Sequence, residues 1–177
     1  MRQLLCLLLA AALFAACNDD DPTFRYATEN TAIIDGRFTG TNLHFYGTSV
    51  ITDPSGNTCT DKGIEFEFAG LDNDFALYMH GIRLDPTLPA LRIRIHTLTS
   101  EPGIGAKLAF TTESVVPDVL QPNETGGGSS YQPMPVYTMT AFEGAIDELD
   151  CRVGFTCDLP ELGIRRIDFE GKLILER

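Results

Sequence analysis

Three stretches of this chain alternate apolar and charged side chains with a period of two, and that pattern narrows what the chain can fold into. Ile64, Phe66 and Phe68 alternate with Glu65 and Glu67. Leu91, Ile93 and Ile95 alternate with Arg92, Arg94 and His96. Ile167, Phe169, Leu173 and Leu175 alternate with Asp168, Glu170, Lys172 and Glu176. Successive side chains of a strand point to opposite faces, so each stretch offers one face to a core and one to water. Half-buried strands of this kind belong to antiparallel sheets. Further strands are predicted over residues 32–38, 43–52, 75–84, 107–114, 136–142 and 149–157, and no stretch sustains a helical period. Turn-forming runs separate them: Asp53-Pro54-Ser55-Gly56-Asn57, Asp72-Asn73-Asp74, Asp85-Pro86 and Glu101-Pro102-Gly103. About eight or nine strands at this spacing predict an all-β domain over residues 31–177, a single antiparallel up-and-down β-barrel, with a two-layer β-sandwich as the alternative. Closure is favoured because it leaves no strand edge exposed. The three apolar sets are expected to point inward.

One segment interrupts the rhythm. Residues 116–135 carry Pro117, Pro122, Pro133 and Pro135 and the run Gly126-Gly127-Gly128-Ser129-Ser130. They read as a long connection without structure, with Tyr131 and Met134 placed to fold back over a barrel mouth. The three histidines lie mid-strand. His96 shares a polar face with Arg92 and Arg94 and is expected in solvent. His44 alternates with Tyr46, and His80 with Tyr78 and Ile82. Should those faces line one cavity, His44, Tyr46, Tyr78, His80, Tyr131 and Met134 would supply the polar and aromatic contacts of an apolar ligand pocket.

Catalytic signals are lacking. The chain has no Gly-x-Ser-x-Gly elbow, phosphate-cradling loop or Ser-x-x-Lys, and no histidine has a partner at metal-ligand spacing. Acidic groups at Asp72 and Asp74, and at Glu143, Asp147, Glu148 and Asp150, read as turn and surface residues rather than a Ca²⁺ loop. The expectation is a non-enzymatic protein with no metal and no cofactor. Its 25 acidic against 13 basic residues give a net charge of −12, which repels phosphate backbones and argues against nucleic-acid binding.

The first residues specify a location. Arg2 supplies a positive charge, residues 4–14 form an apolar run too short to span a bilayer, and Ala15-Ala16-Cys17 is followed at once by Asn18-Asp19-Asp20-Asp21. This resembles the lipobox of bacterial lipoproteins, in which a small-small-Cys tripeptide closes the leader. The resemblance implies a signal peptide over residues 1–16, lipidation of Cys17, and a polar tether over 17–30 holding the domain to the outer membrane. The acidic residues after Cys17 also resemble the surface-export signal of some Gram-negative bacteria. The domain is therefore expected to face the cell exterior, with the periplasmic face as the alternative.

Three cysteines remain once Cys6 and Cys17 are set aside. Cys151 and Cys157 sit six residues apart on one predicted strand, about 20 Å, too far for a disulfide, which needs Cα atoms within about 7 Å. Either all three are free, or Cys59 bridges one of the pair, with Cys151 slightly preferred.

The run Phe75-Ala76-Leu77-Tyr78-Met79-His80-Gly81-Ile82-Arg83-Leu84, followed by Pro89 and the strand from Leu91, resembles the central strands of small calycin-like lipoproteins, as does the late Phe169-Glu170-Gly171. The resemblance implies an up-and-down barrel, in many members with a cavity for a small apolar ligand. The Gly-x-Trp of the lipocalin branch is met only by Gly36-Arg37-Phe38, and the chain has no tryptophan. Two functions follow as expectations. One is a binding module with a small apolar ligand in the barrel. The other is an interaction lipoprotein with a filled barrel, presenting loops to an outer-membrane protein complex or to glycans. Whether the interior is open or packed separates them, and of the eleven phenylalanines all but the two in the leader and tether are available to fill it.

Overall fold

The computed structural model describes residues 25–123 and 126–175; the leader, Cys17 and the tether as far as residue 24 lie outside them. In chain order the strands are β1 (Ile33–Ile34), β2 (Arg37–Thr39), β3 (Leu43–Thr52), β4 (Thr58–Asp72), β5 (Asp74–Ile82), β6 (Leu91–Thr99), β7 (Glu101–Pro102), β8 (Lys107–Val115), β9 (Asp118–Pro122), β10 (Ser129–Pro133), β11 (Met139–Asp147), β12 (Asp150–Leu159) and β13 (Gly163–Ile174). A single 3₁₀ turn, Pro135–Tyr137, is the helical element among the described residues. The protein is all-β. Its strands form one antiparallel sheet in the order β10-β9-β6-β5-β4-β3-β13-β12-β11-β8-β7, which curls into a half-barrel of eleven strands. β1 and β2 form a hairpin attached to the end of β4. Its two-residue turn, Asp35-Gly36, has φ of 50° and 70°, the left-handed pair a tight hairpin requires.

The alternation read in the sequence is realised inside the curl. Ile64, Phe66, Phe68, Ile93, Ile95, Ile167 and Phe169 are all buried, while Leu175, placed with them by the pattern, lies beyond the end of β13 and is exposed. Bulges correct the period, two of them at non-glycine residues. In β6 the inward series Ile93, Ile95 resumes at Leu98 because Thr97 adopts a φ of 51°. In β11 it passes from Met139 to Phe142 across Ala141, at a φ of 47°. An extra residue at each point returns the next large side chain to the core.

Aromatic rings fill the centre. Phe38, Phe75, Phe68 and Phe45 form one chain of contacts at 5.2–5.7 Å, and Phe75, Phe110, Phe142 and Phe155 form another at 5.1–6.1 Å. Phe66 and Phe169 stack at 3.8 Å. β13 pairs with β3, joining the last long strand to the first, and Gly171 lies opposite Gly47. A Cβ on Gly47 would come within 1.9 Å of the Glu170 carbonyl oxygen, so only glycine permits this approach.

The segment 116–135 is not the structureless loop its prolines predict. β9 and β10 form a hairpin that docks on β6 through Ile93↔Val119 and Arg94↔Asp118. The prolines are confined to its margins. Pro117 precedes β9, Pro122 and Pro133 are terminal ladder positions, and Pro135 opens the 3₁₀ turn. No interior rung loses its N–H, which is the condition under which proline is compatible with a strand.

Cys59, Cys151 and Cys157 are free thiols, and the Cys59–Cys151 bridge weighed from the sequence is not formed. β3 and β13 stand between β4 and β12, so three strand spacings, about 14 Å of sheet, part the two residues. Cys151 and Cys157 share the inward face of β12 and are buried.

Candidate functional site

His44, Tyr46, Tyr78 and His80 each follow a buried residue, and all four are half-buried on the outer face of the sheet. They do not line the interior, which belongs to Phe45, Leu77 and Met79 on the alternate positions. Tyr131, carried by β10, lies on the same outer face. Its ring meets that of Tyr78 at 5.9 Å and 69°. Met134 packs separately against the edge of the core. The structure therefore gathers five of the six predicted ligand residues on one surface, the outer face of the curled sheet.

Strand register assembles that surface. Tyr78 on β5 lies opposite Glu67 of β4 and Arg94 of β6; His80 lies opposite Glu65 and Arg92. Rows of carboxylate, aromatic ring and guanidinium thus cross three strands. His44 Nδ1 is 2.9 Å from Glu65 Oε1, and His80 Nε2 is 3.3 Å from Glu67 Oε2. The Asn42 amide donates to Glu67 Oε1 at 2.8 Å. The Arg94 guanidinium lies over the Tyr131 ring, 4.7 Å from its centroid, a cation–π contact.

Asp118 secures Arg94. Arg94 donates to Asp118 Oδ2 through Nη2 at 2.8 Å and Nε at 3.3 Å, and His96 Nε2 contacts the same oxygen. Burial alone would raise the Asp118 pKa, but the hydrogen bonds from Arg94 and His96 outweigh it and leave the carboxyl below its ordinary value. The hydrogen bond to Asp118 in turn raises Arg94. Burial raises the Tyr131 hydroxyl, partly offset by the positive charge of Arg92. The patch is thus a pre-set array of fixed charges and two tyrosine faces.

Two concavities lie elsewhere. One, of about 250 Å³, opens at the far end between Ile51, Cys59, Pro86, Leu162 and Arg165. The other, about 540 Å³, is an outer-face depression lined by Ala109, Ala145 and the Arg166 side chain that covers Gly154. Among the described residues, no group of three or more His, Cys, Asp or Glu side chains is arranged to hold a metal ion.

Sequence reasoning missed Arg94 and Asp118 as members of the site. A signal existed for Arg94: Glu65 and Glu67 on one strand, Arg92 and Arg94 on another, with Tyr78 and His80 between, are complementary once the three strands are neighbours. For Asp118 there was none, because it falls in the segment read as a loop. Compared with known proteins, the chain matches no family model, no curated protein and no solved structure.

Proposed function

We propose that this chain is a lipid-anchored envelope protein that binds a protein partner on the outer face of its sheet, without catalysis and without a ligand inside. In this reading β3, β4, β5, β6 with β7, β8, β11, β12 and β13 make a calycin-like eight-stranded barrel. β7 follows β6 after Ser100 alone and pairs with β8, which supports closure through β7. The β9–β10 hairpin is then an insertion that carries Tyr131 onto the binding face. Cys17 tethers the domain to the outer membrane, facing the cell exterior.

The observation that carries the reading is the filled interior. The rings that an apolar ligand would have to displace are buried and in mutual contact. Binding by the predicted aromatic residues then takes place from outside. Tyrosine and arginine dominate the strongest positions of protein interfaces, because they bury much area for little lost side-chain freedom. Arg94 is held in place beforehand by Asp118 and lies over Tyr131, whose ring meets Tyr78, which lowers the ordering cost of association.

The test is photo-crosslinking in the cell envelope. A benzoylphenylalanine at position 131 is expected to give an adduct of defined mass with another protein, and one at Arg152, exposed on β12 four strands along the sheet from β5, is not. Arg94→Ala should weaken the association about thirtyfold, as for a hot-spot side chain. Adducts confined to glycan, or equal adducts at both positions, would refute the proposal.

A further inference from the structure

The large exposed apolar side chains are not spread evenly. In an antiparallel meander alternate connections share one end, and here that end holds the β4–β5 turn, residues 103–106 between β7 and β8, the β11–β12 turn and the end of β13. Ile34, Leu71, Ile104, Tyr26 and Leu175 all lie there, each more than half exposed. Ile104 is 90 % exposed at the tip of Gly103-Ile104-Gly105. Gly36 N–H donates to the Gly105 carbonyl at 2.7 Å, so the turn next to Ile34 and the turn bearing Ile104 are pressed together. Leu71 pairs with Thr39 in the adjoining hairpin strand. The three form one apolar rim, of the kind that water-facing protein surfaces seldom keep without a partner.

The chain leading to the leader emerges at this same end. Tyr26 bridges to Ile174, and the Leu175 N–H donates to the Arg25 carbonyl at 2.8 Å. Seven residues, hence eight Cα steps, separate Arg25 from Cys17, a reach of about 28 Å when fully drawn out. The far end of β13 lies eleven residues away along the strand, about 36 Å. A tether fixed to lipid at Cys17 therefore brings the apolar rim to the bilayer first.

We propose that the rim formed by Ile34, Leu71 and Ile104 sits in the interfacial layer of the membrane, with zwitterionic lipid as its partner. The inference rests on the Cys17 anchor for its natural setting. Asp35, Asp72, Asp74, Glu101, Asp147, Glu148 and Asp150 stand exposed at this end and outnumber the exposed Arg25, Arg37, Lys107 and Lys172, so anionic headgroups are repelled and ammonium-bearing neutral ones are not. The arrangement also orients the molecule, setting its barrel axis upright with the outer-face patch of Tyr78 and Tyr131 to the side.

The experiment places one environment-sensitive fluorophore at Ile104→Cys or at Ile164→Cys, the latter exposed at the opposite end, in a Cys59→Ser background. Cys151 and Cys157 are buried and do not compete for label. One arm uses the chain processed and lipidated in a Gram-negative host, with Cys17 acylation read by mass. A second replaces residues 1–16 by hexahistidine, carries Cys17→Ser, and is captured on nickel-chelating vesicles. With phosphatidylcholine–phosphatidylethanolamine vesicles holding brominated lipid, quenching at position 104 should exceed that at 164 severalfold in both arms. It should fall when phosphatidylglycerol is added. Ile104→Asp, with the probe moved to Ile34→Cys, should lower quenching at the rim about tenfold. Equal quenching at 104 and 164, or none at 104, overturns the proposal. An unacylated Cys17 in the first arm with quenching at 104 in the second removes the anchor and leaves the membrane-contact rim standing.

Discussion

Asp85 and Arg165 show how a single carboxylate is committed at the end of this sheet. They meet at 2.7 Å with both side chains nearly covered, and Arg165 also donates to the carbonyls of Leu162 and Ile164. The Asp85 pKa is lowered chiefly by the Thr87 hydroxyl, against the opposing effect of burial, and then by the Thr87 N–H and Arg165. A carboxyl lowered in the folded state contributes stability above its unfolded pKa and loses it as pH falls through the folded value. The difference in stability between the native chain and Asp85→Asn, measured by urea unfolding, should therefore be full at pH 7 and shrink below pH 3.8, the ordinary value. Arg165→Met strands the carboxylate. Because the covering shell is thin at this end, the expected cost is about 2 kcal/mol at pH 7, below that of a pair deep in a core. Ser49 is the opposite case. Its hydroxyl is buried with no hydrogen-bond partner, so Ser49→Ala should raise the unfolding free energy by about 1 kcal/mol.

At the scale of elements, the β9–β10 hairpin tests whether the outer-face patch is a unit. Val119 is buried against Ile93 and is the apolar contact in the short pairing with β6. Val119→Asp places a charge there without a partner, at a cost of about 3 kcal/mol if the hairpin stayed docked. The hairpin should instead detach. Hydrogen exchange is expected to speed up across β9 and β10 while β12 and β13 keep their protection. Uniform loss of protection through the sheet would show that the hairpin is integral to the core. This element also marks where the sequence stopped being readable. Strands with an unbroken period of two were legible: residues 43–52 were predicted with the bounds of β3. The Asp35-Gly36 turn was not read, although its residue types signal a hairpin. β11 starts at Met139 rather than 136 because Pro135 opens a 3₁₀ turn over Pro135–Tyr137. Four prolines hid β9 and β10, since whether a proline removes a needed N–H depends on its rung, and the rung is set by the partner strand. The patch itself shows the same limit. Which residues alternate was visible, but which face turned inward for His44, Tyr78 and His80 was decided by the wholly apolar Phe45, Leu77 and Met79 beside them.

For the whole molecule, the balance lies between a surface of net charge −12 and a core of phenylalanine. Like charges spread over the outside repel one another, and burial of the rings opposes that repulsion, each contributing about 1.5–3 kcal/mol. Screening should favour the fold, so the melting temperature is expected to rise between 20 and 500 mM sodium chloride. Whether the interior is truly closed to ligands is a property of the core as a unit, and Phe169 is the place to ask. Its ring stacks on Phe66 at 3.8 Å and folds over Gly171, so that a Cβ there would meet the ring at 2.5 Å. Phe169→Ala removes the ring from a site with neighbours on every side, at an expected cost of about 3–5 kcal/mol in urea unfolding. The void left is apolar and enclosed by Phe66 and Phe45, the kind of cavity that stays dry and accepts a small aromatic molecule. Benzene should therefore raise the melting temperature of Phe169→Ala and leave that of the native chain unchanged. A shift in the native chain would mean that the rings yield to a ligand, which would return the interior to consideration as a binding site.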